Sequence, residues 1–218
     1  MIMKRIVKAG FSMSLIAILF FSQTASAQTL KEFFNSSEVS ALYLGIDFTQ
    51  AKLIDDATAN EMDIRDRQYA GINDLVVTEI KKFDLNSAFH KSNVDHDLGF
   101  VAKRNLKADA EKIKSTNTSD YHRLKEDDIS TLVKGFDFGD KKGIGILFVM
   151  EAMSKSAKSA AIWVTFIDMK AKKVLLTERM EEKTGMSFGF RNYWATSIKK
   201  LLDDIEGDKY KQWKAKYQ

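Results

Sequence analysis

The chain has 218 residues and a formal net charge of +4, and it contains neither cysteine nor proline. The missing cysteine excludes disulfide bonds and a lipid attached through a cysteine thiol, and the missing proline excludes a proline-rich linker. Length and composition therefore predict one globular domain whose stability depends on apolar burial alone.

The first 27 residues have the three-part pattern of a secretory signal peptide. Lys4, Arg5 and Lys8 form a basic start, residues 10–21 are almost wholly apolar, and Ala25-Ser26-Ala27 is a small-residue cleavage site. The apolar run is shorter than the ~20 residues that span a bilayer. We therefore expect cleavage after Ala27, no permanent membrane anchor, and a periplasmic or secreted protein consisting of residues 28–218.

Cleavage changes the charge of the chain. It removes three of the 34 basic residues and none of the 30 acidic ones, so the mature chain has a net charge of +1. Nucleic-acid binding proteins depend on a broad excess of positive charge. The near-neutral mature chain therefore argues against a nucleic-acid partner.

The predicted elements follow from the spacing of the apolar residues, with period 2 for strands and about 3.6 for helices. In chain order they are a strand at 41–49, a helix at 61–83, a strand at 98–102, a helix at 127–135, strands at 143–153, 160–169 and 173–182, and a helix at 190–206. Short loops between the last three strands predict an antiparallel meander. We therefore predict a single α+β domain with a mixed, mostly antiparallel sheet and helices packed on one of its faces.

The closing helix has the clearest apolar stripe in the chain. Phe190, Trp194, Ile198, Leu201 and Ile205 recur at helical spacing. We expect this stripe to pack against the meander, with Trp194 in the core.

The segment Gly185-Met186-Ser187-Phe188-Gly189 matches the G-x-S-x-G pattern of a nucleophile elbow. That site needs a histidine base after the serine in the chain, whereas His90, His96 and His122 all precede Ser187. The strand before the motif is also predicted to lie in an antiparallel hairpin. We therefore assign the glycines to a turn and predict no catalytic residue.

His90 and His96, with Asp95 and Asp97 beside them, have the side-chain types that bind metals. Their spacing matches no known ligand pattern and the flanking residues are polar. We predict a solvated loop and no metal site.

Two further motifs are interpreted as chance matches. Asp137-Phe138-Gly139 resembles the magnesium-binding motif of kinases, but the chain has no catalytic-loop His-Arg-Asp. Gly143-Ile144-Gly145 lacks the third glycine of a dinucleotide-binding loop and begins a predicted strand. We therefore predict no cofactor.

Residues 186–194 contain four aromatic residues and one arginine within nine positions. Stiff rings with a polar group suit contacts with a partner, so Phe188, Arg191 and Tyr193 are the predicted binding residues. The alternative is that these rings belong to the core. The lysines of the loop at 154–159 and the turn at 170–173 are expected to be solvated, with contact to an anionic surface as the alternative.

The cysteine-free export signal, the first strand, the meander and the closing helix around Phe188–Trp194 together resemble uncharacterised exported proteins of Bacteroides-type bacteria. The element order is also similar to the periplasmic domains of the curli-secretion-channel (CsgG-like) family and to TolB N-terminal domains. The resemblance implies a non-enzymatic accessory role at the cell envelope. The absent lipidation cysteine departs from the lipoprotein members of these groups.

Two functions from different classes remain. The first is an exported interaction protein with no catalytic centre and a protein partner in the envelope. The second is an envelope hydrolase that uses dispersed carboxylates. A pocket lined by two facing acids would favour the hydrolase, and a surface with exposed aromatic side chains would favour the interaction protein.

Overall fold

The computed structural model describes residues 30–217, and the predicted signal peptide at 1–27 lies outside these described residues. Seven strands form one sheet. They are β1 (Ala41–Asp47), β2 (Lys52–Ile54), β3 (Val94–His96), β4 (Lys114–Ser115), β5 (Ile144–Ser154), β6 (Ser159–Asp168) and β7 (Lys173–Lys183).

Six helices accompany the sheet in the described region, together with 3₁₀ turns at Ala110–Lys112 and Thr118–His122. They are α1 (30–35), α2 (Glu61–Asp63, Ile64–Gln68 and Tyr69–Thr78), α3 (Leu85–Ala88), α4 (Gly99–Asn105), α5 (Glu126–Lys134) and α6 (Phe190–Asp204, Ile205–Lys209 and Tyr210–Lys216). The middle segments of α2 and α6 are π-helical turns within otherwise continuous helices. No described helix is long and apolar enough to cross a bilayer.

The sheet is organised around the long central strand β5. Along one edge of β5, β1 pairs with its first half and β2 with its last three residues, both in parallel. Strand β3 extends β1 and β4 extends β2, again in parallel, which gives the order β3-β1-β5-β2-β4. Along the other edge, β6 and β7 form the antiparallel meander with β5.

The prediction of a mostly antiparallel α+β sheet is therefore wrong, because the core of the sheet is parallel and the fold is α/β. The parallel partners β1 and β5 are about a hundred residues apart in the chain, with Tyr43 opposite Ile146 and Ile46 opposite Phe148. Loop lengths indicate only how consecutive strands pair, so they identified the meander and missed this contact.

Helices cover both faces of the sheet, which corrects the prediction of one covered face. Every residue of β5 is buried. Ile146 and Phe148 belong to the cluster with α1, α2 and α6, whereas Leu147 and Val149 belong to a second cluster with α4 and α5. A continuous apolar run is typical of a strand buried on both faces.

The predicted strand at 98–102 is also wrong, because residues Gly99–Asn105 form helix α4. Val101 packs in the second core cluster beside Ile129 and Val133 of α5. A short apolar run does not by itself distinguish a strand from one buried helical turn.

The predicted stripe of the closing helix is confirmed. Trp194, Ile198, Leu201 and Ile205 are buried, Phe190 is partly buried, and α6 packs against β7 and α2. The helix continues past its predicted end to Lys216. This stripe fixes the start of α6 on the sheet and so determines where the preceding loop projects.

Candidate functional site

The loop at residues 184–189, between β7 and α6, has the most exposed large apolar side chains described. The relative exposure of Met186 is 103% and that of Phe188 is 95%. Large apolar side chains of a soluble domain are normally at least partly covered. The loop therefore presents apolar surface that the domain itself does not use.

The base of this loop is held by hydrogen bonds to two neighbouring elements. The amide of Gly185 donates to Oγ1 of Thr196 in α6 at 2.6 Å. The amide of Thr184 donates to the carbonyl of Lys158, in the β5–β6 hairpin, at 2.8 Å. Gly189 has a φ of +78°, a left-handed conformation that suits glycine at the entry to α6. These contacts fix the base, so the tip with Met186 and Phe188 projects from a rigid support.

Tyr193 connects the start of α6 to the β5–β6 hairpin. Its ring is half-buried and lies edge-on to Trp194, with ring centres 5.0 Å apart. The Nζ atom of Lys155 lies 4.3 Å from the centre of the Tyr193 ring, within the range of a cation–π contact. Tyr193 thus has one edge in the core and one face under a surface cation.

Arg191 lies across helix α2. A Cβ atom placed on Gly71 would be 2.6 Å from Cδ of Arg191, so the glycine permits this close approach. Arg191 is exposed, and with Arg67 and Gln68 it lines a shallow depression of about 390 Å³ at the start of α6. Arg191 is therefore held against the domain but remains accessible from solvent.

The side chains around the loop carry an excess of positive charge. Exposed cations lie on the hairpin, at the end of β7 and at the start of α6: Lys155, Lys158, Lys183 and Arg191. An acid also lies here, because Oγ of Ser156 in the hairpin donates to Asp55 at 2.6 Å. We call this set the tip surface, defined as the exposed residues Met186, Phe188, Arg191, Lys155, Lys158 and Lys183 together with the half-buried Tyr193.

Phe188, Arg191 and Tyr193, the predicted binding residues, thus lie at the loop and the first turn of α6, with Phe188 exposed in the loop, Arg191 against α2 and Tyr193 beside the hairpin. That they bind a partner stays a prediction. The sequence reasoning missed the exposure of Met186, and it gave contact of the hairpin lysines with an anionic surface only as the alternative to solvation. The signal for Met186 was present in the sequence, because Met186 and Phe188 alternate with glycine and serine outside any apolar stripe.

Ser187 of the G-x-S-x-G match lies exposed in this loop, after a strand that pairs antiparallel. The histidines have other partners. Nε2 of His90 lies 3.0 Å from the carbonyl of Glu206, and Nδ1 of His122 lies 3.7 Å from the Glu181 carboxylate. Neither contact places a base beside the serine hydroxyl.

His90 and His96 are also not brought together as metal ligands. His90 stacks on Tyr210, whereas His96 is exposed on the edge strand β3. Within residues 30–217, no group of three or more potential metal-binding side chains is present.

The two chance matches have local structural roles. The carboxylate of Asp137 accepts a hydrogen bond from the amide of Gly139 at 3.1 Å, forming a turn. A Cβ atom on Gly145 would lie 2.9 Å from Cδ1 of Leu44. This glycine therefore allows Leu44 to pack closely against β5 in the second core cluster.

Two ion pairs with buried carboxylates lie on the face of the sheet that α4 and α5 cover. They were not predicted from the sequence. Asp47, fully buried at the end of β1, accepts from Nε of Arg104 at 2.8 Å. Glu151, fully buried in β5, accepts from Nε of Arg179 at 2.6 Å and from Nε1 of Trp163 at 3.1 Å. The sequence did contain a signal for the second pair, because Glu151 is a single acid inside the otherwise apolar run of β5. Because each carboxylate is occupied by an arginine, these acids serve the structure of the sheet.

A cleft of about 570 Å³ lies beside Arg104, and its lining includes Asp97 and Asp137. Each of these carboxylates already accepts a nearby backbone amide, from Gly99 and Gly139 respectively. Lys103 and Lys107 line the same cleft. The cleft therefore mixes both signs of charge, and its acids are engaged in turns.

No protein-family model and no curated protein sequence matches the chain. Among solved structures, the chain is similar to the lipoprotein GNA1162 from Neisseria meningitidis, with 11% sequence identity and a TM-score of 0.32. The match covers 78% of this chain and 98% of the lipoprotein. A likeness at this level carries no argument about function. The resemblance to Bacteroides-type exported proteins and to the CsgG-like family stays a prediction.

Proposed function

We propose that this protein is an exported, envelope-associated interaction protein without a catalytic centre, and that it docks through the tip surface. The observation that carries the proposal is the near-complete exposure of Met186 and Phe188 on a loop whose base is held by hydrogen bonds to α6 and to the hairpin. The export signal in residues 1–27 supports the location.

Exposed apolar groups on a braced loop favour binding for a physical reason. Moving each of these two side chains out of water would stabilise the complex by about 25 cal/mol per Å² of apolar surface buried. Because the loop base is already ordered, little additional conformational entropy is lost when the tip is covered. A binding role explains this arrangement, whereas a role in folding does not, since neither side chain contributes to the core.

The alternative of an envelope hydrolase gains no support from the geometry. Asp47 and Glu151 are paired with arginines, and Asp97 and Asp137 hold local turns. The G-x-S-x-G serine has no histidine beside it among the described contacts. The aromatic surface therefore supports the interaction protein.

The test is fractionation of producing cells. We expect the wild-type protein in the envelope fraction, with an N-terminus at Gln28 by mass spectrometry. The double substitution Met186→Ser and Phe188→Ser should move most of the protein to the released fraction. The matched control is Ile80→Ser with Leu106→Ser, which changes two exposed apolar residues elsewhere. Equal fractionation of the two double variants would contradict the proposal.

A further inference from the structure

We propose that the tip surface docks on the anionic head groups of a lipid membrane, with Met186 and Phe188 entering the interface and the surrounding cations contacting the lipid phosphates. This inference rests on the proposed function and names the chemistry of the partner. It describes a reversible peripheral contact, which is separate from any membrane-spanning segment.

The apolar part of the surface suits a lipid interface. Peripheral proteins insert a few apolar and aromatic side chains just below the head groups. The free energy of membrane binding then scales with the apolar area that is buried. Met186 and Phe188 lie two residues apart at the tip of one loop and are almost fully exposed. Both can therefore enter a soft interface together without any change in the fold.

The charged part of the surface suits an anionic interface. Lys155, Lys158, Lys183 and Arg191 are exposed around the loop. Lys155 lies over Tyr193, and the ammonium of Lys183 donates to the carbonyl of Ala157 at 3.2 Å. Each cation near an anionic leaflet strengthens binding by roughly fivefold. Nearby acids include Asp55, which accepts from Ser156, and the half-buried Glu182, which itself lies near Asp204.

A membrane explains this surface better than a protein does. A stable protein interface buries about 800 Å² on each partner, and lysine is depleted from its centre. Here two exposed apolar side chains lie in a loop that Lys183 and Arg191 flank in the chain, and that is hydrogen-bonded to the hairpin carrying Lys155 and Lys158. That is the composition of a small insertion loop with a basic surround, which anionic lipid binds without needing a large complementary face.

The experiment is vesicle co-sedimentation with the processed protein purified from cells. The probes are vesicles of phosphatidylethanolamine mixed with phosphatidylglycerol and, for comparison, vesicles of pure phosphatidylcholine. We expect binding to the anionic vesicles at low salt, weaker binding at high salt because the charges are screened, and little binding to phosphatidylcholine.

Two pairs of variants test the two parts of the surface. Met186→Ser with Phe188→Ser should weaken binding at least about tenfold, whereas Ile80→Ser with Leu106→Ser should not. Lys155→Gln with Lys158→Gln should weaken binding about tenfold or more. Lys141→Gln with Lys142→Gln makes the same charge change before the start of β5, at the opposite end of that strand, and should leave binding intact.

The outcomes separate this inference from the proposed function. If the tip variants lose envelope association in cells but the wild-type protein binds neither kind of vesicle, the partner is a protein, and the lipid inference is wrong while the proposed function holds. Equal binding by tip and control variants would also overturn the lipid inference. If the tip variants change neither fractionation nor vesicle binding, both proposals fail.

Discussion

The Nζ atom of Lys155 lies 4.3 Å from the centre of the Tyr193 ring, which joins the β5–β6 hairpin to the first turn of α6. The amide of Thr184 makes a second connection, to the carbonyl of Lys158 in the same hairpin. Two segments that are separate in the sequence, the hairpin and the chain from Lys183 to Tyr193, therefore meet in the folded protein. Two of the four cations of the tip surface come from the hairpin, and its exposed apolar groups come from the loop before α6.

The exposed and half-buried rings of this surface should differ in their importance for stability. Phe188→Ala should change the free energy of unfolding by less than about 0.5 kcal/mol, as expected for a fully exposed side chain. Tyr193→Ala should cost about 1 kcal/mol, because its ring packs on Trp194. Urea denaturation measures both values. A loss of several kcal/mol on replacing Phe188 would show that the loop packs into the domain.

Trp194 is the anchor of α6 and should be sensitive to truncation. It is buried to 1% exposure, so Trp194→Ala should cost roughly 3–5 kcal/mol. The indole Nε1 has no hydrogen-bond partner among the described atoms. Trp194→Phe removes that donor while keeping a large ring, and should cost clearly less. Equal destabilisation by the two substitutions, measured by urea denaturation, would contradict the packing described here.

Arg179 connects a buried and an exposed carboxylate, which allows a matched comparison. Glu151→Ala removes the buried partner and leaves Nε of Arg179 and the indole of Trp163 without an acceptor, so it should cost about 3–5 kcal/mol. Glu181→Ala removes the exposed partner of the same arginine and should cost at most about 1 kcal/mol. Thermal and urea unfolding measure the two losses. The account would be wrong if the order were reversed.

Glu182 should make stability depend on pH. Burial raises its pKa to about 7 from an ordinary value of 4.5, with a further contribution from Asp204 and a smaller opposing one from Lys200. Because the folded-state pKa is the higher one, the folded state holds this proton more tightly. Stability should therefore fall as pH rises from about 4.5 to 7 and then level off.

Glu182→Gln removes this slope and should make the protein more stable than wild type at pH values above 7. The control is Glu206→Gln, which changes an exposed carboxylate in α6, outside β7, and should retain the slope. Denaturation midpoints across the pH range measure the effect. An unchanged slope in Glu182→Gln would assign the pH dependence to other groups.

The parts of the fold that were predictable are those with a local pattern. The helical stripe from Trp194 to Ile205 and the three strands of the meander were identified from periodicity and short loops. The parallel pairing of β1 with β5 could not be predicted in this way, because it depends on contacts between residues about a hundred positions apart in the chain. Helix α4 was mistaken for a strand because its apolar run is short.

The candidate site was likewise predictable only where it depends on a local sequence pattern. Phe188 and Tyr193 lie off the buried stripe of α6, and this spacing alone indicated that they do not belong to its core face. The contact of Lys155 with Tyr193 was not visible, because the hairpin and α6 meet only in the folded chain. The buried carboxylates of Asp47 and Glu151 required knowledge of which arginines fold against them.

The central claim is that the protein docks on the envelope through the loop before α6. The most direct test places a photo-crosslinking amino acid at Phe188 in cells that export the protein, and compares it with the same amino acid at Leu106, an exposed apolar position outside this loop. The account predicts that irradiation joins the Phe188 variant to an envelope component, whether lipid or protein, and leaves the Leu106 variant free. Equal yields at the two positions, or no adduct at Phe188, would contradict it.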